Sequence, residues 1–349
     1  MKKEKVAIGM SGGVDSSVAA ALLKSRGYEV VGITMLLGDN DKKNVDDAKR
    51  VCEKLGIEHY TVDFRKEFQK NVIDYFVEEY QNGRTPNPCV VCNRFLKFDA
   101  MQVYAENLGA DKIATGHYAK IEYNEALGRY LLKQANSSEK DQTYALYTLT
   151  QKQLSKTIMP LGDLESKAET RKIAEDLGLD DAGKSDSMEI CFIPDKDYAS
   201  FIEKYSGKSG EPGDFVDTEG NVLGRHGGII NYTIGQRKGL GITFGKPMFV
   251  TKIDAEKNQV VLGEKGTEFS QELTAKKLNF MPFDHLTEEI EVLAKVRYSA
   301  KPALAKVTPV GDDQVRVIFD TPQRAVTPGQ AVVFYNKEDM SVVGGGIIC

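Results

Sequence analysis

The chain has 349 residues, which at roughly 150 residues per domain leaves room for two or three domains. With 41% hydrophobic and 28% charged residues it can bury sizeable cores, which excludes a disordered chain. A formal charge of −5 excludes a protein that coats nucleic acid or membranes by bulk charge, while leaving room for a local basic patch.

Met1 to Lys5 is basic, but the apolar stretch behind it breaks at Ser11-Gly12-Gly13-Val14-Asp15, too early for a secretory leader. No apolar run approaches the ~20 residues of a membrane span, so a cytoplasmic protein with no membrane partner is expected. Lys5 to Met10 reads as a short strand. Val14 to Arg26 then places Val18, Ala19, Leu22 and Leu23 at helical spacing before Gly27. Tyr28 to Met35 is a second strand candidate. Val45, Ala48, Val51, Cys52 and Leu55 form a helical stripe ended by Gly56. Ile57 to Asp63 predicts a third strand, Phe64 to Tyr80 a long helix and Asp111 to Gly116 a further strand. Ser166 and Glu169 carry the spacing of a capping box, and Gly178 stops that helix. Such alternation predicts an α/β domain with a parallel sheet between helical layers, over residues 1–200.

Beyond about Tyr205 glycines multiply and period-two runs appear between turn signals at Glu219-Gly220, Lys257-Asn258 and Gly311-Asp312-Asp313. Val292, Ala294 and Val296 alternate with Leu293, Lys295 and Arg297 as on a half-buried strand, and Val315, Val317 and Phe319 repeat the pattern. Two smaller β-rich modules are expected, over 201–269 and 270–349.

The string Ser11-Gly12-Gly13-Val14-Asp15-Ser16-Ser17 joins the first strand to the first helix. Two glycines let the backbone turn tightly and present N–H groups to an anion, the serine hydroxyls add donors, and the helix offers its positive end. A Walker A lysine and a dinucleotide fingerprint are both missing. Any β–α junction can hold glycines, but the full string resembles the PP-loop of ATP pyrophosphatases, which split ATP between the α and β phosphates. That resemblance implies ATP binding, with Asp15 orienting Mg²⁺ at the pyrophosphate.

Five cysteines, an odd and sparse number, argue against a disulfide framework. Cys52 falls on the apolar helical stripe and reads as a small buried hydrophobe. Cys349 ends the chain and reads as incidental. Cys89 and Cys92 form a Cys-x-x-Cys behind Thr85-Pro86-Asn87-Pro88, whose two prolines predict a stiff, non-helical approach. Half of a structural zinc site is the alternative, which only Cys191 and His117 could complete. A thioredoxin-like pair would open a helix, whereas this one follows a proline-rich loop. Next to an adenylating loop, free thiols suit sulfur transfer, which needs an activated carbonyl and a cysteine carrying sulfur.

The ordered motifs Gly9-Met10-Ser11-Gly12-Gly13-Val14-Asp15-Ser16, Thr85-Pro86-Asn87-Pro88, Cys92-Asn93, Lys97-Phe98, Ala114-Thr115-Gly116-His117-Tyr118, Lys140-Asp141-Gln142, Ser187 to Ile193, Tyr232 to Arg237, Arg297-Tyr298 and Pro328-Gly329-Gln330 span nearly the whole chain. In them the sequence resembles the tRNA-specific 2-thiouridylases. The resemblance implies a PP-loop domain of Rossmann-like type, a small β-rich central domain and a C-terminal β-barrel contacting tRNA. It implies that Gly9 to Ser16, with Met35 and Gly116 at the adenine end, hold ATP, which adenylates the C2 oxygen of the wobble uridine. Cys191 would carry a persulfide received from a sulfur-relay partner, a cysteine desulfurase or carrier protein. Cys92 would release that sulfur and close a transient disulfide with Cys191. Asn87, Pro88 and Cys89 would line the target base. Lys140, Asp141, Gln142, His117, Arg297, Tyr298 and Gln330 would contact tRNA, where phosphate contact and base stacking are the physical grounds.

Cys89 stands where many members of that family carry Asp and others Cys. Cys89, Cys92 and Cys191 therefore admit a second route, as ligands of an iron–sulfur cluster whose open iron binds hydrosulfide. Gly220 to Ile253 holds no Asp or Glu but carries Arg225, Arg237, Lys238, Lys246 and Lys252, the expected course of an RNA backbone. Two other functions compete: a PP-loop synthetase adenylating a small metabolite, and a non-catalytic RNA-binding protein stapled by zinc.

Overall fold

Val6, Ala7 and Ile8 are fully buried with no polar residue between them, so the first strand must be covered on both faces. The computed structural model, which describes residues 3–39, 41–179 and 190–349, meets that requirement. Strands β1 (Lys5–Gly9), β2 (Glu29–Leu36), β3 (Glu58–Asp63) and β4 (Lys112–Ala114) are followed by a hairpin, β5 (Ala119–Asn124) and β6 (Arg129–Gln134), and by the short β7 (Thr157–Ile158). Five of them form a parallel sheet in the order β3-β2-β1-β4-β7. Val6 and Ile8 face a layer built on helices Val14–Ser25, Lys42–Leu55 and Lys167–Asp176. Ala7 faces the opposite layer, with Phe68, Leu96, Phe98 and Met101.

The chain runs outward from β1 through β2 to β3, then returns to place β4 on the other side of β1. The carboxyl ends of β1 and β4 therefore flank a topological switch point, where open α/β sheets bind ligands. The predicted long helix is present as Arg65–Phe68, a π turn at Gln69–Ile73 and Asp74–Gln81.

A second sheet contains β8 (Gly213–Val216), β9 (Val222–His226), β10 (Met248–Asp254) and β11 (Gln259–Glu264), ordered β10-β11-β8-β9. Strands β12 (Phe269–Phe280), β13 (Ile290–Lys295), β14 (Ala303–Pro309), β15 (Gln314–Arg324), β16 (Ala331–Tyr335) and β17 (Val342–Ile348) close a barrel. The fold class expected from the sequence, a parallel α/β sheet followed by β-rich modules and a barrel, is the one observed. Val292, Ala294, Val315, Val317 and Phe319 all point into the barrel core. Every residue of β16 is buried, because Val332 and Phe334 fill the barrel while Ala331, Val333 and Tyr335 pack into the α/β layer. That shared strand fixes the barrel to the first domain. Tyr144 Oη donates to the Ala331 carbonyl at 2.8 Å, and Asn279 Nδ2 to that of Tyr147 at 2.6 Å.

Candidate active site

Gly12 takes φ +74°, and a side chain there would meet the Asn44 carbonyl at 2.8 Å, so the turn after β1 needs glycine on both counts. Gly13 begins the helix Val14–Ser25, and the Ser16 and Ser17 hydroxyls both donate to its carbonyl, at 3.0 and 2.9 Å. The Ser11 amide donates to Ser16 Oγ at 3.2 Å. The serines thus hold the turn in shape at a helix N-terminus, the arrangement that binds phosphate. Gly116, just past β4, approaches closely as well: a Cβ on it would lie 2.8 Å from the Ser16 amide nitrogen. Met10 is buried beneath the turn, and Met35 packs near the end of β2.

Asp15 stands in the first turn of that helix. Its Oδ1 accepts from Tyr118 Oη at 2.9 Å and from Lys167 Nζ at 2.6 Å, and Tyr118 Oη also meets Thr170 Oγ1 at 2.8 Å. The Lys167 side chain is only 10% exposed, so a cation is built into the cradle wall. Sequence reasoning missed it, since Lys167 lies about 150 residues downstream and follows only a capping signal. Asp15 itself, 31% exposed, is the kind of hard oxygen donor that Mg²⁺ shares with phosphates.

The lead through Thr85, Pro86 and Asn87 is non-helical, as expected, but Pro88–Cys92 is a helical turn, so the pair opens a helix, contrary to expectation. Asn87 Oδ1 caps it by accepting from the Cys89 and Val90 amides at 3.1 and 3.4 Å, and Pro88 occupies the first helical position, where a missing N–H costs nothing. Cys89 is exposed; Cys92 is 7% exposed and lies against the core. A π turn, Asn93–Ala100, continues from Cys92.

Ser187, Met188 and Glu189 lie outside the described residues. The rest of that motif forms a tight turn, closed by the Ile193 amide on the Ile190 carbonyl at 2.9 Å, with Cys191 at its corner. Phe192 anchors the turn edge-on between Phe68 and Phe76, with ring centroids 5.6 and 5.4 Å away. Cys191 keeps a solvent-exposed face, yet the groups crowding its sulfur push its thiol up to about 12, chiefly through lost hydration and then through Cys92, Cys89 and Asp41. Cys191 thus lies within electrostatic reach of both thiols and of Asp41, the residue that opens helix Lys42–Leu55, and its neighbour Phe192 packs on the core cluster that contains Cys92. The same helix touches Gly12 through Asn44 and Asp47. The glycine turn and all three thiols therefore share one end of the sheet. Burial also raises the Cys92 thiol, opposed by Lys97, so both groups rest protonated near neutral pH. Among the described residues no three His, Cys, Asp or Glu side chains gather into a metal-binding group, so the cluster ligand set is not assembled in this conformation.

The residues expected to face RNA fall into two groups. His117 donates to or accepts from Thr115 Oγ1 at 2.8 Å and stacks on Phe98; burial, then Lys97, keeps it far below the usual histidine range and therefore neutral. Gln142 accepts from the Tyr118 amide at 3.0 Å. Asp141 is 8% exposed; it accepts from Thr143 Oγ1 at 2.6 Å, and its carboxyl is raised by burial. Gln330 donates to the Thr85 and Pro86 carbonyls at 2.8 and 3.3 Å. In this conformation Asp141 and Gln330 spend their polar groups inside the protein, holding elements together. Lys140 lies beside them, partly exposed. Tyr298, 48% exposed, presents its ring outward while its hydroxyl reaches the Asp141 carbonyl at 3.3 Å, and Arg297 Nε is buried with no partner. In the basic stretch, Arg225, Lys246 and Lys252 pair with Asp214, Glu264 and Asp254. Arg237 and Lys238 are exposed and form no ion pair among the described residues.

A glycine cradle at the switch point of a parallel sheet, extended by a β-sheet module and a barrel, defines a HUP-type nucleotide-using protein with two appended β domains. Residues 4–195 match the tRNA methyl transferase HUP domain, 199–264 the tRNA methyl transferase PRC-barrel domain and 270–348 the aminomethyltransferase beta-barrel domain. The chain is 55% identical to tRNA-specific 2-thiouridylase MnmA of Acetivibrio thermocellus over the whole of both chains. It is 53% identical to the protein of the same name from Clostridioides difficile, covering 99% of this chain and 98% of that one, and 55% identical to that of Caldicellulosiruptor saccharolyticus, covering 99% and 98%. The chain belongs to the tRNA-specific 2-thiouridylase family.

Proposed function

We propose that this chain is an ATP-dependent sulfurtransferase that replaces the C2 oxygen of the tRNA wobble uridine with sulfur. The observation that carries the reading is that Cys191 sits at a turn, exposed on one face, within electrostatic reach of Cys92 and Asp41, with Phe192 packed on the cluster that contains Cys92, near the glycine turn. Methyl transfer, the term in the names of the first two matching domains, needs neither a phosphate cradle nor paired thiols.

ATP lies in the turn from Gly9 to Ser16, with Met35 and Gly116 at its adenine end, and transfers AMP to the C2 oxygen of a uridine lined by Asn87, Pro88 and Cys89. Pyrophosphate leaves. Asp15 would hold Mg²⁺, which supplies charge to the departing phosphates when bound. A persulfide on Cys191, loaded by a cysteine desulfurase or a sulfur carrier, attacks C2. The C2–O bond breaks and AMP takes the electron pair. The Cys92 thiolate then attacks Cys191 Sγ, breaking the S–S bond and leaving the outer sulfur on C2. The product disulfide between Cys92 and Cys191 is reopened by an external thiol. Because both thiols rest protonated, the chemistry starts only when substrate or donor alters their surroundings.

Arg237 and Lys238, with Lys140, Arg297 and Tyr298, supply phosphate contacts and a stacking face for the tRNA. We divide the work among 1–200 for chemistry, 201–269 for RNA approach and 270–349 for RNA contact and for bracing the catalytic loop. The test is AMP formation: it should require tRNA and track 2-thiouridine one for one. AMP formed equally well without tRNA would instead favour a metabolite-adenylating synthetase. Among the described residues no helix is long and apolar enough to cross a membrane.

A further inference from the structure

Lys97 lies on the π turn that continues from Cys92. In an α-helix a residue five positions on is rotated by about 140° from the first. The wider π turn, in which the Met101 amide bonds the Leu96 carbonyl five residues back, carries position 97 round toward the side of Cys92. The side chain is half-buried, and no carboxylate pairs with it among the described residues. Its charge is felt at Cys92, at Cys191 and at His117. Phe98, next to Lys97, lies against His117 with ring centroids 5.8 Å apart, and His117 follows Gly116, where an added Cβ would lie 2.8 Å from the Ser16 amide nitrogen of the cradle. Lys97 therefore stands between the nucleotide cradle and the sulfur site.

Among the groups its charge reaches are the Cys92 and Cys191 thiols, both raised by burial, and the neutral His117 imidazole, and among the described residues it forms no ion pair. A half-buried cation with no ion pair among the described residues can take up an anion that arrives with the substrate. Resting on the reaction proposed above, one anionic group must lie between the two half-sites. It is the α-phosphate, which comes from ATP in the glycine turn and becomes bonded to the oxygen on the carbon that sulfur attacks.

We propose that the Lys97 ammonium contacts the α-phosphate of the adenylated uridine and takes up the charge that develops as AMP departs. The C2–O bond breaks, its electron pair leaves on the phosphate oxygen, and Lys97 meets that oxygen with its N–H donors, an electrostatic role that grows toward the transition state. Arginine, also cationic, can fill part of the role; an uncharged side chain cannot.

The experiment uses the full chain carrying Lys97→Met, Lys97→Gln or Lys97→Arg, with ATP, tRNA and a persulfide donor. Both uncharged variants should lose about 100-fold in kcat for thiolation, with KM for tRNA held within about threefold, and Lys97→Arg should recover at least about tenfold. Inhibition by added AMP should weaken about tenfold in Lys97→Met, a change that a packing role would not produce. Unchanged AMP inhibition, or a loss confined to KM for tRNA, overturns the assignment, as does an arginine variant no better than methionine. A parent chain that forms no tRNA-dependent AMP overturns the underlying reaction itself, which distinguishes the two failures.

Discussion

Cys191 is open to solvent at one face and yet surrounded closely enough to hold its thiol near 12, above the ordinary cysteine value of 9. A raised thiol pKa means the proton stays on as pH climbs past 9 and leaves only toward 12, so the thiolate is scarce at neutrality. Iodoacetamide should therefore alkylate Cys191 of the folded chain at pH 8 at least ~10-fold more slowly than in the urea-unfolded chain. Its rate should keep rising beyond pH 9; a folded-state rate that levels off below pH 9 contradicts this. The roles of individual residues were only partly legible in the sequence. Gly12 could be read, because the string around it already demands a tight turn. Lys167 could not, because its pairing with Asp15 depends on a helix far down the chain that carries no local sign of the partner. The helical start of the Cys-x-x-Cys was misjudged because two prolines suggested a break, whereas Asn87 capping and Pro88 at the first helical position favour one.

Between elements, the barrel grips the loop that leads to the Cys-x-x-Cys. The Thr85 amide donates to the Pro328 carbonyl at 2.9 Å, and Gln330 returns two hydrogen bonds to the carbonyls of Thr85 and Pro86. This clamp sits at the base of the turn that presents Asn87, Cys89 and Cys92. Gln330→Ala removes both side-chain bonds and should cost about 1 kcal/mol of stability. The larger effect falls on geometry: thiolation should drop about tenfold while ATP affinity, set by the glycine turn, stays the same. Equal losses in ATP binding, by calorimetry, would contradict a loop-bracing role. The strands themselves were legible from their alternation, Val292 and Ala294 among them, although the strand that holds these two ends at Lys295, one residue before Val296. The joint burial of β16 was not, since a run of five apolar residues does not say which two cores will share it.

At the scale of the molecule, an acidic chain must bind a polyanion through local charge. The stretch from Gly220 to Ile253 looks uniformly basic in the sequence, but three of its five cations are already matched by carboxylates, Asp214 and Glu264 on adjacent strands and Asp254 on the strand of Lys252 itself. That leaves Arg237 and Lys238, exposed and without an ion pair among the described residues, as the phosphate contacts proposed for this stretch. Replacing both by Gln should weaken tRNA binding and lower the salt-dependence slope by about 1 to 2, leaving tRNA-independent ATP affinity unchanged. An unaltered slope would move the RNA elsewhere. The order of domains was readable from texture alone, whereas the approach of the turn carrying Cys191 to the core cluster that contains Cys92 is a property of the folded chain that no spacing reveals. The most direct test loads the chain, stripped of iron, with labelled persulfide on Cys191 and mixes it with ATP and tRNA for a single turnover. One labelled sulfur should move to uridine for each AMP formed, and Cys92→Ser should block release of the sulfur. Transfer that needs restored iron, or that proceeds unhindered in Cys191→Ser, would contradict the account.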